Sequence, residues 1–145
     1  MDSIEMAGHL IRRLHQQSTQ VFQARTQAAG FELTPVQFAA LAGIARQPGI
    51  DQASLAAAIG FDRATIGGVI ERLELKGLLE RVVNAQDRRA RQLQLTPEGE
   101  QVLAQCRPVV EDLQAEILGP LTRAERAAFL ALAQKALGLT PARRR

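Results

Sequence analysis

The sequence predicts a mainly α-helical protein with one small β-hairpin, an α+β chain. Three observations lead there. Apolar residues recur at helical spacing along most of the chain, caps followed by proline or glutamine mark repeated helix starts, and period-two alternation is confined to residues 79–95. With 145 residues, 46% of them apolar, the chain has enough material for one domain and a real core without disulfides or metal.

Taken in order, Ile4, Leu10, Ile11, Leu14, Val21 and Phe22 predict a first helix from residue 4 to about 29, stopped by Gly30. Such a helix is about 40 Å long, too long for so small a domain to cover, so part of its apolar stripe should meet another chain. Thr34-Pro35-Val36-Gln37 places a cap, a proline and a glutamine as a capping box requires and opens a second helix to about Arg46, before Pro48-Gly49. Asp51 caps a short third helix through Ile59, and Gly60 ends it. Asp62 then caps a fourth helix from Arg63 to about Lys76. On that helix Ile66, Val69, Ile70 and Leu73 form one buried stripe, leaving Arg63, Thr65, Gly68 and Arg72 to face a partner.

Beyond Gly77, Leu79, Arg81 and Val83 alternate with their neighbours, as do Leu93 and Leu95, predicting a hairpin with an arginine-bearing tip at 84–90. Thr96-Pro97 opens a fifth helix to about Leu118, with a kink expected at the interior Pro108. Thr122-Arg123-Ala124-Glu125 is a capping box for a sixth helix ending near Gly138, and residues 141–145 form a tail expected to be disordered.

Composition narrows the function. The formal charge of +3 is matched by Arg143, Arg144 and Arg145 alone, so net charge argues for nothing. Distribution is more informative: between Arg81 and Leu95 stand Arg81, Arg88, Arg89 and Arg91 against the single acid Asp87. With no Trp or Tyr, the chain lacks the aromatic platforms on which unpaired bases stack, so a nucleic-acid partner would be duplex DNA. Two histidines on one helix and a lone cysteine offer no zinc-like spacing and no catalytic constellation, so neither an enzyme nor a cofactor is expected. No apolar run has the length or flanks of a signal peptide or membrane span, which predicts a cytoplasmic protein with no membrane partner.

Helix, glycine turn, helix and basic hairpin, in that order, make the layout of a winged helix-turn-helix. The second helix of the pair fits a major groove about 12 Å wide, and an arginine-bearing wing reaches the adjacent minor groove. The run Asp87-Arg88-Arg89-Ala90-Arg91-Gln92-Leu93-Gln94-Leu95-Thr96 matches a wing signature of Asp, any residue, Arg, three residues, Leu, any residue, Leu, Thr. In that signature, in Leu55-Ala56, in the 65–73 stretch and in Gly77-Leu78-Leu79 before Arg81, the chain resembles the multiple-antibiotic-resistance regulator (MarR) family over essentially its whole length.

The resemblance implies a transcriptional regulator. It divides a single 1–145 domain into dimerisation helices at about 1–30 and 97–139, a winged DNA-binding part at about 34–96, and a basic tail at 140–145. It implies a homodimer, whose two recognition helices would enter major grooves about one helical turn apart on a pseudo-palindromic site. Arg89 corresponds to the wing-tip arginine that enters the minor groove, and Asp87 to the carboxylate that orients the wing arginines. Arg88 and Arg91 are read as phosphate ligands, and Ser54, Arg63, Thr65 and Arg72 as backbone or base contacts.

Small aromatic acids often bind in this family between the first helix of one subunit and the winged part of the other. His9 and Arg13, four apart, share a helical face, with His15 on another side; Arg can hold a carboxylate while His bonds a ring substituent. The alternative is a set of surface polar residues on an amphipathic helix. The 9–16 stretch resembles repressors of hydroxylated-nicotinate breakdown, which would make the effector a hydroxylated pyridine carboxylate. The resulting expectation is a ligand-relieved repressor. Two other functions compete with it: a winged-helix module that docks another protein, and a redox sensor built on Cys106, whose preferred reading is a buried structural cysteine.

The chain departs from the family at Gly67-Gly68, where many members carry a hydroxyl residue followed by a longer polar one. Each glycine costs about 1 kcal/mol against Ala in a helix interior, and direct base readout from these two positions is lost.

Overall fold

Helix caps set the frame of this molecule. In the computed structural model, which describes residues 2–83, 86 and 91–139, the side chains of Thr34, Asp51, Asp62, Thr96 and Thr122 each accept a hydrogen bond from the backbone N–H three residues on. Each cap satisfies a donor that the first helical turn leaves without a partner. The resulting order is α1 (Ala7–Ala28), α2 (Pro35–Arg46), α3 (Gln52–Ile59), α4 (Arg63–Leu75), β1 (Leu79–Val83), β2 (Arg91–Leu95), α5 (Pro97–Ile117) and α6 (Arg123–Ala136). The fold is the mainly α winged helix-turn-helix that the sequence predicts.

α3 and α4 are separated by a turn at Gly60, whose φ of 77° is a left-handed conformation that suits a residue without a β-carbon, and the two axes bend by 110°. Eight residues are too few for a stable isolated helix, so packing must hold α3 in place. It buries Leu55 and Ala56. Around them lie Leu41 and Ile44 of α2, Ile66, Ile70 and Leu73 of α4, Leu79 and Leu93 of the hairpin, and Leu103, Cys106 and Leu113 of α5. Each large apolar side chain so buried stabilises by about 1.5–3 kcal/mol, well above its share of helix propensity.

The hairpin is antiparallel with Leu79 opposite Leu95 and Arg81 opposite Leu93. A short third segment lies beside it: the Gly49 N–H donates to the Leu93 carbonyl, the Leu93 N–H to the Ile50 carbonyl, and Asp51 bridges Gln92. The sequence offers no alternation at 49–51 from which that pairing could be read. α1 packs on α5, where the Gln17 side-chain amide donates to the Ile117 carbonyl over 2.7 Å. Arg25 reaches both Glu116 at 2.6 Å and Asp112 at 2.8 Å.

The chain does not enter one helix at residue 4: Ser3–Glu5 form a single 3-10 turn, Met6 is extended with ψ 139°, and α1 begins at Ala7. Met6 has no side-chain oxygen to cap the helix, so nothing in the sequence marks this start. α5 runs through Pro108 as one helix. The expected 141–145 tail and most of the hairpin tip lie outside the described residues.

α6 buries none of its residues, and Leu130, Leu132, Leu137 and Leu139 stay exposed at its end of the chain. At the other end Ile4, Met6, Leu10 and Ile11 are exposed as well. No single helix among the described residues is long and apolar enough to cross a membrane.

Candidate nucleic-acid interface

α4 has two sharply different sides. Ile66, Val69, Ile70 and Leu73 are buried, while Arg63, Ala64, Thr65, Gly68, Glu71, Arg72 and Leu75 are exposed. Helical geometry turns the second set away from the core, which leaves a free rod with cations at Arg63 and Arg72.

The hydroxyls expected to meet DNA are committed locally. Ser54 Oγ donates to Asp51 Oδ2 over 2.9 Å, and Thr65 Oγ1 donates to Asp62 Oδ2 over 3.0 Å. Each hydroxyl has one proton, so what it still offers outward is a lone pair rather than a donor. The Asp51 carboxyl sits below its ordinary range because the Ser54 backbone N–H and then its hydroxyl favour the charged form, and Asp62 is lowered in the same way by Thr65. Both helices of the pair therefore begin on an ionised carboxylate.

In the wing, Arg81 is turned back to α4, with Nε 3.3 Å from Glu74 Oε2. Arg81 faces protein, while Arg91, the first residue of β2 on the tip side of the hairpin, is exposed. Asp87, Arg88 and Arg89 lie outside the described residues. The wing ends in a tie that its sequence signature does not advertise. Thr96 Oγ1 donates to the Gly77 carbonyl over 2.6 Å and accepts from the Gly99 N–H over 3.1 Å, and the Thr96 N–H donates to the Leu78 carbonyl. One threonine joins the end of α4, the wing and the start of α5.

His9 is partly covered, and Arg13 and His15 are exposed, on α1. The neighbour His9 meets is Arg12, with Nδ1 3.3 Å from Nη2, and not Arg13. None of the three lines either of two cavities found among the described residues. A cavity of about 480 Å³ lies instead between α2, β2 and α5, lined by Ile44, Pro48, Leu95, Leu103, Glu100 and Arg107 among others. A shallower one of about 560 Å³ lies between α1 and α5 around Arg25 and Pro108.

Cys106 is fully buried, and burial raises its thiol pKa. The protonated form is the poorer nucleophile, so the geometry suits a packing role. Among the described residues no group of three or more His, Cys, Asp or Glu could hold a metal ion.

Comparison with known proteins gives the layout its place. Residues 31–90 match the model of the MarR family. Transcriptional regulator HosA of Escherichia coli is 39% identical over 129 residues, 89% of this chain and 93% of HosA. The HTH-type transcriptional repressor NicR of Pseudomonas putida is 34% identical, covering 92% of this chain and 84% of NicR. Among solved structures, Bordetella bronchiseptica BpsR, whose DNA binding is regulated by 6-hydroxynicotinic acid, superposes with a TM-score of 0.88 at 31% identity, over 97% of this chain and 99% of BpsR. The repressor CouR, bound to a 23-mer DNA duplex, superposes at 0.80 with 29% identity, over 92% and 93% of the two chains. These relatives are regulators of transcription rather than enzymes, and on the similarity of sequence and fold this chain belongs to the MarR family of transcriptional regulators.

Proposed function

We propose that the chain acts in the cytoplasm as a homodimeric, sequence-specific repressor that occupies a pseudo-palindromic operator and leaves it when a small aromatic carboxylate binds. The observation that carries this reading is the free face of α4, polar and cationic at Arg63 and Arg72 beside a hairpin that continues through Arg91. Arg63, Arg72, Arg88 and Arg91 supply the charge that phosphates attract, Arg89 enters the minor groove, and Asp87 orients the wing arginines. Ser54 and Thr65, whose hydroxyls already donate hydrogen bonds to Asp51 and Asp62, act as acceptors toward DNA and as holders of the two helix starts.

Dimerisation is supported by the uncovered apolar residues at both ends, Ile4 to Ile11 and Leu130 to Leu139. In this reading about 1–30 and 97–139 form the subunit interface and about 34–96 meets DNA. The basic tail lies outside both parts.

For the effector, support comes from BpsR, whose DNA binding is regulated by 6-hydroxynicotinic acid. A hydroxylated pyridine carboxylate would meet Arg13 through its carboxylate and His9 or His15 through its ring substituent. These residues sit on α1 and line neither of the two cavities described above, which favours a site formed by the two subunits together. The ligand acts only through its unequal affinity for the free and the DNA-bound dimer.

The test is a titration against a random duplex pool at two salt concentrations, with Arg89→Ala alongside and the mass of the free protein measured by sedimentation. Selection of a palindrome, steep salt dependence, a loss in the variant and a dimeric mass are expected. No duplex binding at either salt would replace this reading with a protein-docking module.

A further inference from the structure

α4 carries no side chain at the centre of its free face. A β-carbon built on Gly68 would meet nothing within 4 Å. Gly67 differs: a β-carbon there would lie 3.3 Å from Nε2 of Gln52, the first residue of α3, so the Gln52 amide is laid over the backbone of α4 where a side chain is missing. Gln52 is half-buried, and its amide has no hydrogen-bond partner among the described residues.

We propose that Gln52 supplies the base-reading group that Gly67 lacks, recognising an adenine in each half of the operator. The proposal rests on the reading of the chain as a duplex-DNA-binding regulator and names a specificity-determining residue for it. Its chemistry follows from what the neighbouring groups can still offer. Thr65 Oγ1 already donates its hydrogen bond to Asp62 and is left with acceptor capacity. Glu71, exposed one turn from Gly67, accepts only when ionised. The Gln52 amide presents a donor and an acceptor side by side, the pattern that matches the N6 and N7 edge of adenine in the major groove.

The two glycines make this geometry workable. With no β-carbon at 67 or 68, the backbone of α4 can approach the groove closely. The amide of a neighbouring helix can then reach base edges that a bulkier α4 would hold at a distance. A longer residue at 67 would displace the amide, so the glycine and the glutamine function as a pair. The cost in helix propensity becomes the price of lending the position to α3.

The experiment is selection from a random duplex pool by the wild-type protein, Gln52→Ala and Gln52→Glu, with thermal midpoints recorded for each. Wild type should select adenine at one position of each half-site. Gln52→Ala should lose preference at that position alone, with about tenfold weaker binding to the wild-type site and little change elsewhere. Gln52→Glu can only accept, and should move the preference at that position toward cytosine, whose N4 amine donates. It also guards against a misfolded alanine variant, since an acid in the first turn of a helix is favourable.

A uniform loss across all sequences with a shallower salt slope would make Gln52 a phosphate contact and overturn the proposal. An unchanged profile in both variants would overturn it as well. Wild-type protein that binds duplex without base preference sinks this inference and leaves DNA binding intact; wild-type protein that binds no duplex sinks both.

Discussion

Gly99 lies directly against the Leu78 carbonyl, so close that a β-carbon built on Gly99 would overlap the Leu78 oxygen. That oxygen is already the acceptor of the Thr96 N–H at 3.1 Å. Backbone, not a flexible side chain, is the obstacle. Gly99→Ala should therefore destabilise by about 2 kcal/mol or more, in the range of severe overpacking, although alanine is the better helix former. Urea unfolding should give a lower midpoint with an unchanged slope.

Gly68→Ala should do the reverse. It faces open space within a regular helix, so the variant should gain about 1 kcal/mol of stability, read from the same urea curves. Gly67→Ala should gain less, because its β-carbon presses on the Gln52 amide. Equal gains at both positions would mean that Gln52 does not rest on α4.

The caps make a prediction about acid. Asp51 and Asp62 have lowered folded-state pKa values, chiefly through the backbone N–H groups of Ser54 and Thr65. A folded pKa below the unfolded one means that the unfolded chain takes up protons first. The caps' contribution is thus complete above about pH 4, the ordinary carboxylate value, and is lost as pH falls through the lowered one. Stability measured from pH 6 down to pH 2 should fall less steeply for Asp51→Asn and Asp62→Asn than for wild type, with the variants also less stable near neutrality.

Cys106 should be silent toward oxidants. Its sulfur is buried and its thiol is pushed up by desolvation. Peroxide that spares methionines should leave operator affinity unchanged in wild type and in Cys106→Ala alike, and the variant should lose about 1 kcal/mol for the small cavity it creates. Peroxide-induced release from DNA that disappears in Cys106→Ala would instead make this residue a sensor.

What the sequence disclosed was what the chain decides locally. Thr34, Asp51, Asp62, Thr96 and Thr122 are caps because of the three residues that follow them, and all five helices they open begin as expected. The 66–73 stripe was legible because burial on a helix has a period. Met6 hid the start of α1 because an uncapped start has no marker. Other features depend on groups far apart in the chain: Arg81 turned onto Glu74, the 49–51 segment joining β2, Gly99 under Leu78, and Gln52 over Gly67. On the candidate DNA face, Ser54 and Thr65 were expected as polar contacts, but only the folded geometry shows their hydroxyls donating to Asp51 and Asp62.

α6 keeps nothing of itself inside the chain, and Leu130 and Leu132 stand in water. Under the dimeric reading, the order of that helix is governed by mass action: the free energy that fixes it grows with the logarithm of how much protein is present. Dilution would then loosen α6 before it touches the winged part. Occupancy of a promoter would follow the abundance of the regulator more steeply than in simple proportion, so that a modest change in its synthesis becomes a large change in the genes it governs.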